Sequence, residues 1–152
     1  MTTNKRMTNM KNFLAAACMA VMAVSCCGSK DAASVSALDG EWKITEVEGE
    51  PASAIKSENE AYIGFNAKDK LVFGCTGCNR LTGALNADSK TGTIDFSALG
   101  STRMMCRDMD MEQKVLGALS KVSKFSLRGK SKLNLTDKDG NTVIKLERRN
   151  GK

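Results

Sequence analysis

Cys75-Thr-Gly-Cys78 has the spacing at which one thiolate attacks a disulfide and a second cysteine resolves it. Such thiols are activated by a helix N-terminus or a neighbouring cation that lowers their pKa. Here the motif follows the apolar run Leu71-Val72-Phe73 and precedes Asn79-Arg80 and a second extended run, with no helical periodicity. That setting favours a structural use of the cysteines over thiol catalysis by Cys75 and Cys78, which stands as the alternative. Cys106 is the third cysteine of the region, and an odd number leaves one thiol over. A Cys78–Cys106 bridge would close a loop of about 29 residues and contribute roughly 3.5 kcal/mol in the chain-entropy model, less any strain. A zinc site would need a fourth ligand, and the chain has no histidine. The same absence removes Ser-His-Asp and Cys-His catalysis. No pair of acids stands out from the solvated charges, so the expectation is no metal, no cofactor and no enzyme activity.

The elements that would position these cysteines read mostly as short strands. Trp42 to Val47, Tyr62 to Phe65, Leu71 to Phe73, Arg80 to Leu85 and Thr93 to Phe96 come first. Phe125/Leu127, Leu133/Leu135 and Val143/Ile144/Leu146 follow. Turn clusters separate them at residues 66–70, 86–92, 129–131 and 137–140. Links this short forbid parallel pairing, which needs a crossover of a dozen or more residues. One helix interrupts the pattern. Asp108 and Asp110 offer acceptors for its first N–H groups, and Met111, Val115, Leu119 and Val122 recur on one face with Ala118 beside them. Glu112, Lys114 and Lys121 are expected to face water, and Met104, Met105, Met109 and Met111 to fill core. The fold class is therefore α+β, mostly antiparallel β, with a curled, barrel-like sheet and one helix.

The N-terminal residues speak to location. Lys5, Arg6 and Lys11 precede twelve apolar residues, Phe13 to Val24, and then Ser25-Cys26. Twelve helical residues rise about 18 Å, short of a hydrocarbon core of roughly 30 Å, so the segment reads as a secretory signal rather than a span. Ala23-Val24-Ser25-Cys26 resembles the lipobox of bacterial lipoproteins. That resemblance implies cleavage after residue 25, acylation of Cys26 by chains such as palmitate, and membrane lipid as a partner. Cys26 is favoured over Cys27 because it leaves the small Ser25 in the last signal position. Residues 1–25 are then the signal, 26–37 a small polar tether and 38–149 one domain. Loss of the signal takes three of the 23 Lys and Arg and none of the 17 Asp and Glu, so the net charge falls from +6 to +3. With no arginine cluster or aromatic-basic interleaving, nucleic acid is not an expected partner. The basic tail from Lys145 to Arg149 reads as solvated, with anionic lipid as a neighbour.

Gly77-Cys78-Asn79-Arg80 followed by Gly83, and Thr102-Arg103-Met104-Met105-Cys106 ahead of a helix, resemble the META domain (HslJ-like) family. Trp42 and Leu133-Asn-Leu-Thr-Asp-Lys-Asp-Gly140 fit the same pattern, and the likeness covers about residues 38–148. The resemblance implies a compact antiparallel, barrel-like sheet with one helix, on an exported or lipid-anchored protein linked with envelope stress. The family carries no agreed catalytic residues. Its motif positions fall on Gly77, Cys78, Asn79, Arg80, Thr102, Met104 and Cys106, and its cysteine pairing implies Cys78 with Cys106. Cys75 is an addition to the motif and an alternative partner for Cys106. Read physically, Gly77 permits a tight turn, and Asn79 and Thr102 can satisfy backbone groups locally. Arg103 can brace a carbonyl or carboxylate. The expected role is a non-catalytic binding or structural one in envelope stress or maintenance, with an envelope protein or ligand as partner. A carrier of small apolar ligands in a curled sheet is a further alternative. Cys27 following Cys26, where enteric inner-membrane lipoproteins carry Asp, favours the outer membrane. The domain would face the periplasm or the exterior.

Overall fold

Residues that alternate at a period of two must present one apolar side to a core, and here that side builds the interior of a single curled sheet. The computed structural model describes residues 34–149. Its strands are β1 (Gly40–Val47), β2 (Glu50–Pro51), β3 (Tyr62–Asn66), β4 (Leu71–Cys75), β5 (Arg80–Ala84) and β6 (Asn86–Asp88). β7 (Thr93–Asp95), β8 (Leu99–Ser101), β9 (Lys124–Arg128), β10 (Lys132–Thr136) and β11 (Thr142–Arg148) follow, with one helix, α1 (Asp110–Leu119), between β8 and β9. The order across the sheet is β6-β7-β9-β10-β11-β1-β3-β4-β5-β8, with β2 beside β1, and every pair is antiparallel. This is the curled half-barrel with one helix that the strand pattern requires.

Register explains the core. Phe125, Leu135, Ile144 and Val47 stand side by side across β9, β10, β11 and β1. Trp42, Ile63, Gly74 and Leu81 form another row across β1, β3, β4 and β5. Strict alternation from Trp42 and Ile44 would turn Glu46 inward. A β-bulge prevents this: pairing steps from Ile44↔Leu146 to Glu46↔Lys145, so Thr45 is left over and Val47 becomes the next buried residue. α1 packs on β1 and β11 and buries Met111, Val115, Ala118 and Leu119.

Three strands were too short for periodicity to reveal: β2, β6 and β8. Asn86 to Asp88, expected within a turn, pairs with Thr93 to Asp95 instead. The turn chemistry starts one step later, where the Asp88 carboxylate accepts from Lys90 N–H and Thr91 Oγ1. Only Leu85 separates β5 from β6, so the ribbon β5/β8 and β6/β7 bends through a corner and joins both ends of the sheet. The helix differs at both ends. Its N-cap is Met109, with no side-chain cap from Asp108 or Asp110; Met111 N–H instead donates to Lys56 O from a docked loop. Val122 lies past the last turn and is still buried.

The basic tail is held by the domain rather than free in solvent. Arg148 stacks 4.2 Å from the Trp42 ring centroid and donates to the carbonyls of Ala37, Asp39 and Lys130. Trp42 Nε1 donates to Leu38 O at 2.7 Å. Residues 35–37, expected at the end of the tether, thus form with Leu38 a 3-10 turn, Val35–Leu38, clasped to the sheet. Arg148→Ala should lower stability by about 2 kcal/mol, from a desolvated cation–π contact and lost hydrogen bonds. Arg148→Lys should recover little of it, because an ammonium lacks the planar fork; thermal unfolding of the two variants decides this. Lys145 pairs with Glu46 at 2.8 Å, and Arg149 with Glu41 at 2.6 Å and Glu60 at 3.1 Å.

Glu60 is an exposed member of this cluster, paired with Lys43 at 2.7 Å as well. Its hydrogen bond from Lys43 is the largest effect and, together with the Lys43 and Arg149 charges, holds its carboxyl below its ordinary value of 4.5 against the opposing effect of burial. Ser97 does the same for Asp95, and Asn141 first among several donors for Asp137. A carboxyl depressed in the folded state contributes stability that is complete above its unfolded pKa and is lost as pH falls through the folded one. Stability should therefore be flat above about pH 5 and fall below it, and Glu60→Gln should make that acid limb shallower in denaturant titrations.

Candidate functional site

The motif residues meet where three segments converge. The turn Thr76 to Asn79 joins β4 to β5, residues 102–109 lead from β8 into α1, and residues 55–59 lie against both. Thr76 N–H and Oγ1 both donate to Asn79 O, closing a four-residue hairpin turn. Gly77 carries it at φ +108°, and a Cβ there would collide with Ser57 and Met111, so glycine is required twice over. Gly77 O accepts from Asn59 N–H and Nδ2.

Asn79 is the hub. It is 1% exposed, and every hydrogen-bonding group of its amide is used. Oδ1 accepts from Thr102 Oγ1 and Met104 N–H, both at 2.7 Å. Nδ2 donates to Met104 O at 3.1 Å and to the Glu112 carboxylate at 2.8 and 2.9 Å. Asn79 N–H reaches the same carboxylate at 2.9 Å. Glu112, expected to face water, is 6% exposed. It stands in the first turn of α1, where aligned N–H groups favour a negative charge. Thr102 Oγ1 also accepts from Arg80 N–H at 3.1 Å.

Cys78 and Cys106 are joined in a disulfide, with Cα atoms 5.9 Å apart, and Cys75 is a free thiol. Cys75 pairs with Tyr62 and Arg80 across β4 and its neighbours, two residues on from Phe73 and hence on the outer side of the strand. Cys78 is buried in the turn. The Cys-x-x-Cys pair therefore spans a hairpin and not a helix start.

Beyond the hub, residues 103–107 turn outward. Met104 is 55% exposed and Met105 96%, against the expectation that they fill core. Asn79 and the disulfide hold the loop at Met104 and Cys106, which leaves these side chains displayed. Met111 is buried in the core, and Met109 is half-buried. Arg103 and Arg80 are exposed, and Arg103 makes no hydrogen bond or ion pair among the described residues, so it braces nothing here. The sequence held one unused signal for Glu112: it lies three residues before Val115 and seven before Leu119, on the same stripe as the core residues.

Among the described residues no group of His, Cys, Asp or Glu could hold a metal ion, and no helix is long and apolar enough to cross a membrane. Cys26, Cys27, the signal and residues 26–33 of the tether lie outside the described residues. The interior that an apolar-ligand carrier would need open is filled by Trp42, Phe65, Leu133, Leu135, Ile144 and Leu146.

A family model, described as META domain, matches residues 35–150. A crystal structure of a DUF4847 family protein from Bacteroides vulgatus ATCC 8482 is similar, with TM-score 0.52 and 17% identity over 76% of this chain and 96% of that one. An NMR structure of a protein from Burkholderia xenovorans gives TM-score 0.60 and 22% identity over 79% and 89%. A further NMR structure gives 0.57 and 22% over 76% and 94%. At these identities the likeness is one of fold. No curated protein matches the chain.

Proposed function

We propose, because this chain belongs to the META domain family, that it is an envelope-associated protein whose domain binds a partner and catalyses no reaction. One observation carries this reading: the motif is spent on itself. Asn79, Thr102, Glu112, Gly77 and the Cys78–Cys106 bridge bond to one another or to backbone, leaving no poised nucleophile, acid or base among them. Their effect is to anchor residues 103–107 at Met104 and Cys106 while the loop stays exposed at the surface. A display loop built on a braced turn suits recognition.

The finer reading places the protein on the membrane through acylated Cys26, with residues 26–34 as the spacer and the outer membrane favoured by Cys27. Mass spectrometry of the membrane-fraction protein tests the anchor: acylated Cys26 supports it, and an unmodified chain refutes it. Capture from envelope extracts with intact anchored protein, under native and stress conditions, tests the binding role, which fails if nothing is recovered in either. Thiol–disulfide exchange by Cys75 and Cys78 is disfavoured by the strand position of Cys75. Turnover of a model disulfide that Cys75→Ser abolishes would reinstate it.

A further inference from the structure

The bent β5–β8 ribbon leaves β8 as an edge, and the two-residue parity of the ladder says which of its backbone groups are free. Thr102 N–H donates to Arg80 O, and Leu85 N–H to Lys70 O. With the β4/β5 and β5/β8 registers, these bonds assign the odd-numbered residues of β5 to β4 and the even-numbered ones to β8. On β8, Gly100 therefore bonds inward to Thr82. Ser101 N–H and C=O and Leu99 C=O point away from the sheet, while Leu99 N–H is taken by Phe96 O.

Against this edge runs a groove of about 290 Å³ between β8 and the C-terminal half of α1. Leu99 and Leu116, over the buried Leu81, Phe96 and Leu119, form an apolar wall, and Asp95, Ser97, Ser101 and Ser120 supply polar lining beside it. The Asp95 carboxylate accepts from Ser97 N–H and Oγ, which keeps it ionised and fixed. A short edge strand beside a helix, with outward ladder groups, a groove with one apolar wall and a fixed carboxylate, matches the chemistry of strand addition. There, main-chain bonds supply affinity and alternate side chains enter pockets.

We propose that this groove docks an extended peptide segment of a partner protein. The segment adds to β8 through Ser101 and Leu99, sets an apolar side chain against Leu99, Leu116 and Leu119, and places a lysine or arginine beside Asp95. It rests on the reading of the domain as a binding module and names the chemistry of what is bound.

The test selects a display library of random twelve-residue peptides on the full-length protein, then titrates a synthetic copy of the selected sequence. The expected result is a shared apolar residue with a basic neighbour, and binding at least about tenfold weaker to Ser101→Pro and to Leu116→Lys. Ser101→Pro removes only an outward N–H, which an edge strand tolerates, so the variant stays testable if Leu116→Lys does not fold. No common sequence, or equal binding to Ser101→Pro, overturns the proposal. A dimer of this chain that Ser101→Pro dissolves, with no peptide bound, also overturns it and gives the edge to a second copy. Envelope capture separates the two levels. A partner recovered equally by Ser101→Pro sinks the groove and keeps the binding role, whereas no partner on the unaltered protein sinks the role itself.

Discussion

Asn79→Asp should be the most damaging single-atom exchange in this domain. Its Nδ2 lies 2.8 and 2.9 Å from the two Glu112 oxygens, so the substitution sets one carboxylate against another where both side chains are buried. It also removes the donor to Met104 O. Breaking a buried charge-assisted pair costs about 3–5 kcal/mol, a large part of the roughly 5–15 kcal/mol that holds an ordinary domain. Asn79→Ala should cost less, because Asn79 N–H still reaches Glu112. Pairing Asn79→Asp with Glu112→Gln should recover part of the loss, since the new amide can donate to the new carboxylate. The loss also has a pH sign. Two facing carboxylates take up a proton together, so the deficit relative to the unaltered protein should be largest near neutrality. It should shrink as pH falls towards about 4. A deficit equal at pH 7 and pH 4.5 in urea titrations would mean that these groups do not face one another.

The hub shows where the sequence is legible and where it stops. Strand positions could be read from Trp42, Ile63, Leu133, Leu135 and Leu146 because half-buried strands alternate, and the short turns between them dictated antiparallel pairing. Asn79 and Thr102 could be singled out as groups that satisfy backbone, but the groups they satisfy lie more than twenty residues away rather than locally. Glu112 could not be read as a surface charge with safety, because its burial depends on an amide 33 residues away. Asp108 and Asp110 have capping side chains, yet the helix start is satisfied by Lys56 O in a loop whose docking no local pattern records. The Met run misled for the converse reason. Helical spacing puts Met111 inside, but Met104 and Met105 precede the helix and lie within a loop pinned by Asn79 and Cys106. Arg148 and Arg149 looked like solvent-facing charge, and aromatic rings reached from β1 and β3 hold them. In each case the missing term was a long-range partner for a polar or flexible side chain. The Thr45 bulge belongs to the same class, since only the pairing with β11 shows why Val47 and not Glu46 is inside.

Cys106→Ala should lower stability by roughly 3–4 kcal/mol through the chain-entropy effect and the melting temperature by about 10–20 °C in a domain of this size. Cys75→Ser should change either by little, because its thiol is free and on the outer side of β4. The contrast separates the bridge from its competitor, since with a Cys75–Cys106 bridge Cys75→Ser would cost as much as Cys106→Ala. Peptide mapping of Cys106→Ala without reduction adds a second discrimination. Cys78 stays buried in the turn while Cys75 faces away, so both should remain thiols. A Cys75–Cys78 peptide would instead mean that the hairpin rearranges once Cys106 is gone, and it would bring thiol exchange forward. The bridge also has a functional reach that stability alone does not measure. Residues 103–107 are held at one side by Asn79 and at the other by Cys106 and the Arg107 N–H bond to Glu58, so losing the bridge removes one of the restraints on the far end of the displayed loop. The Met104 amide, bonded to Asn79 Oδ1, should stay protected in hydrogen exchange when Cys106 is removed and lose protection when Asn79 is. If both variants expose it equally, the hub and the bridge form one cooperative unit, and the braced loop is a single part rather than two independent restraints.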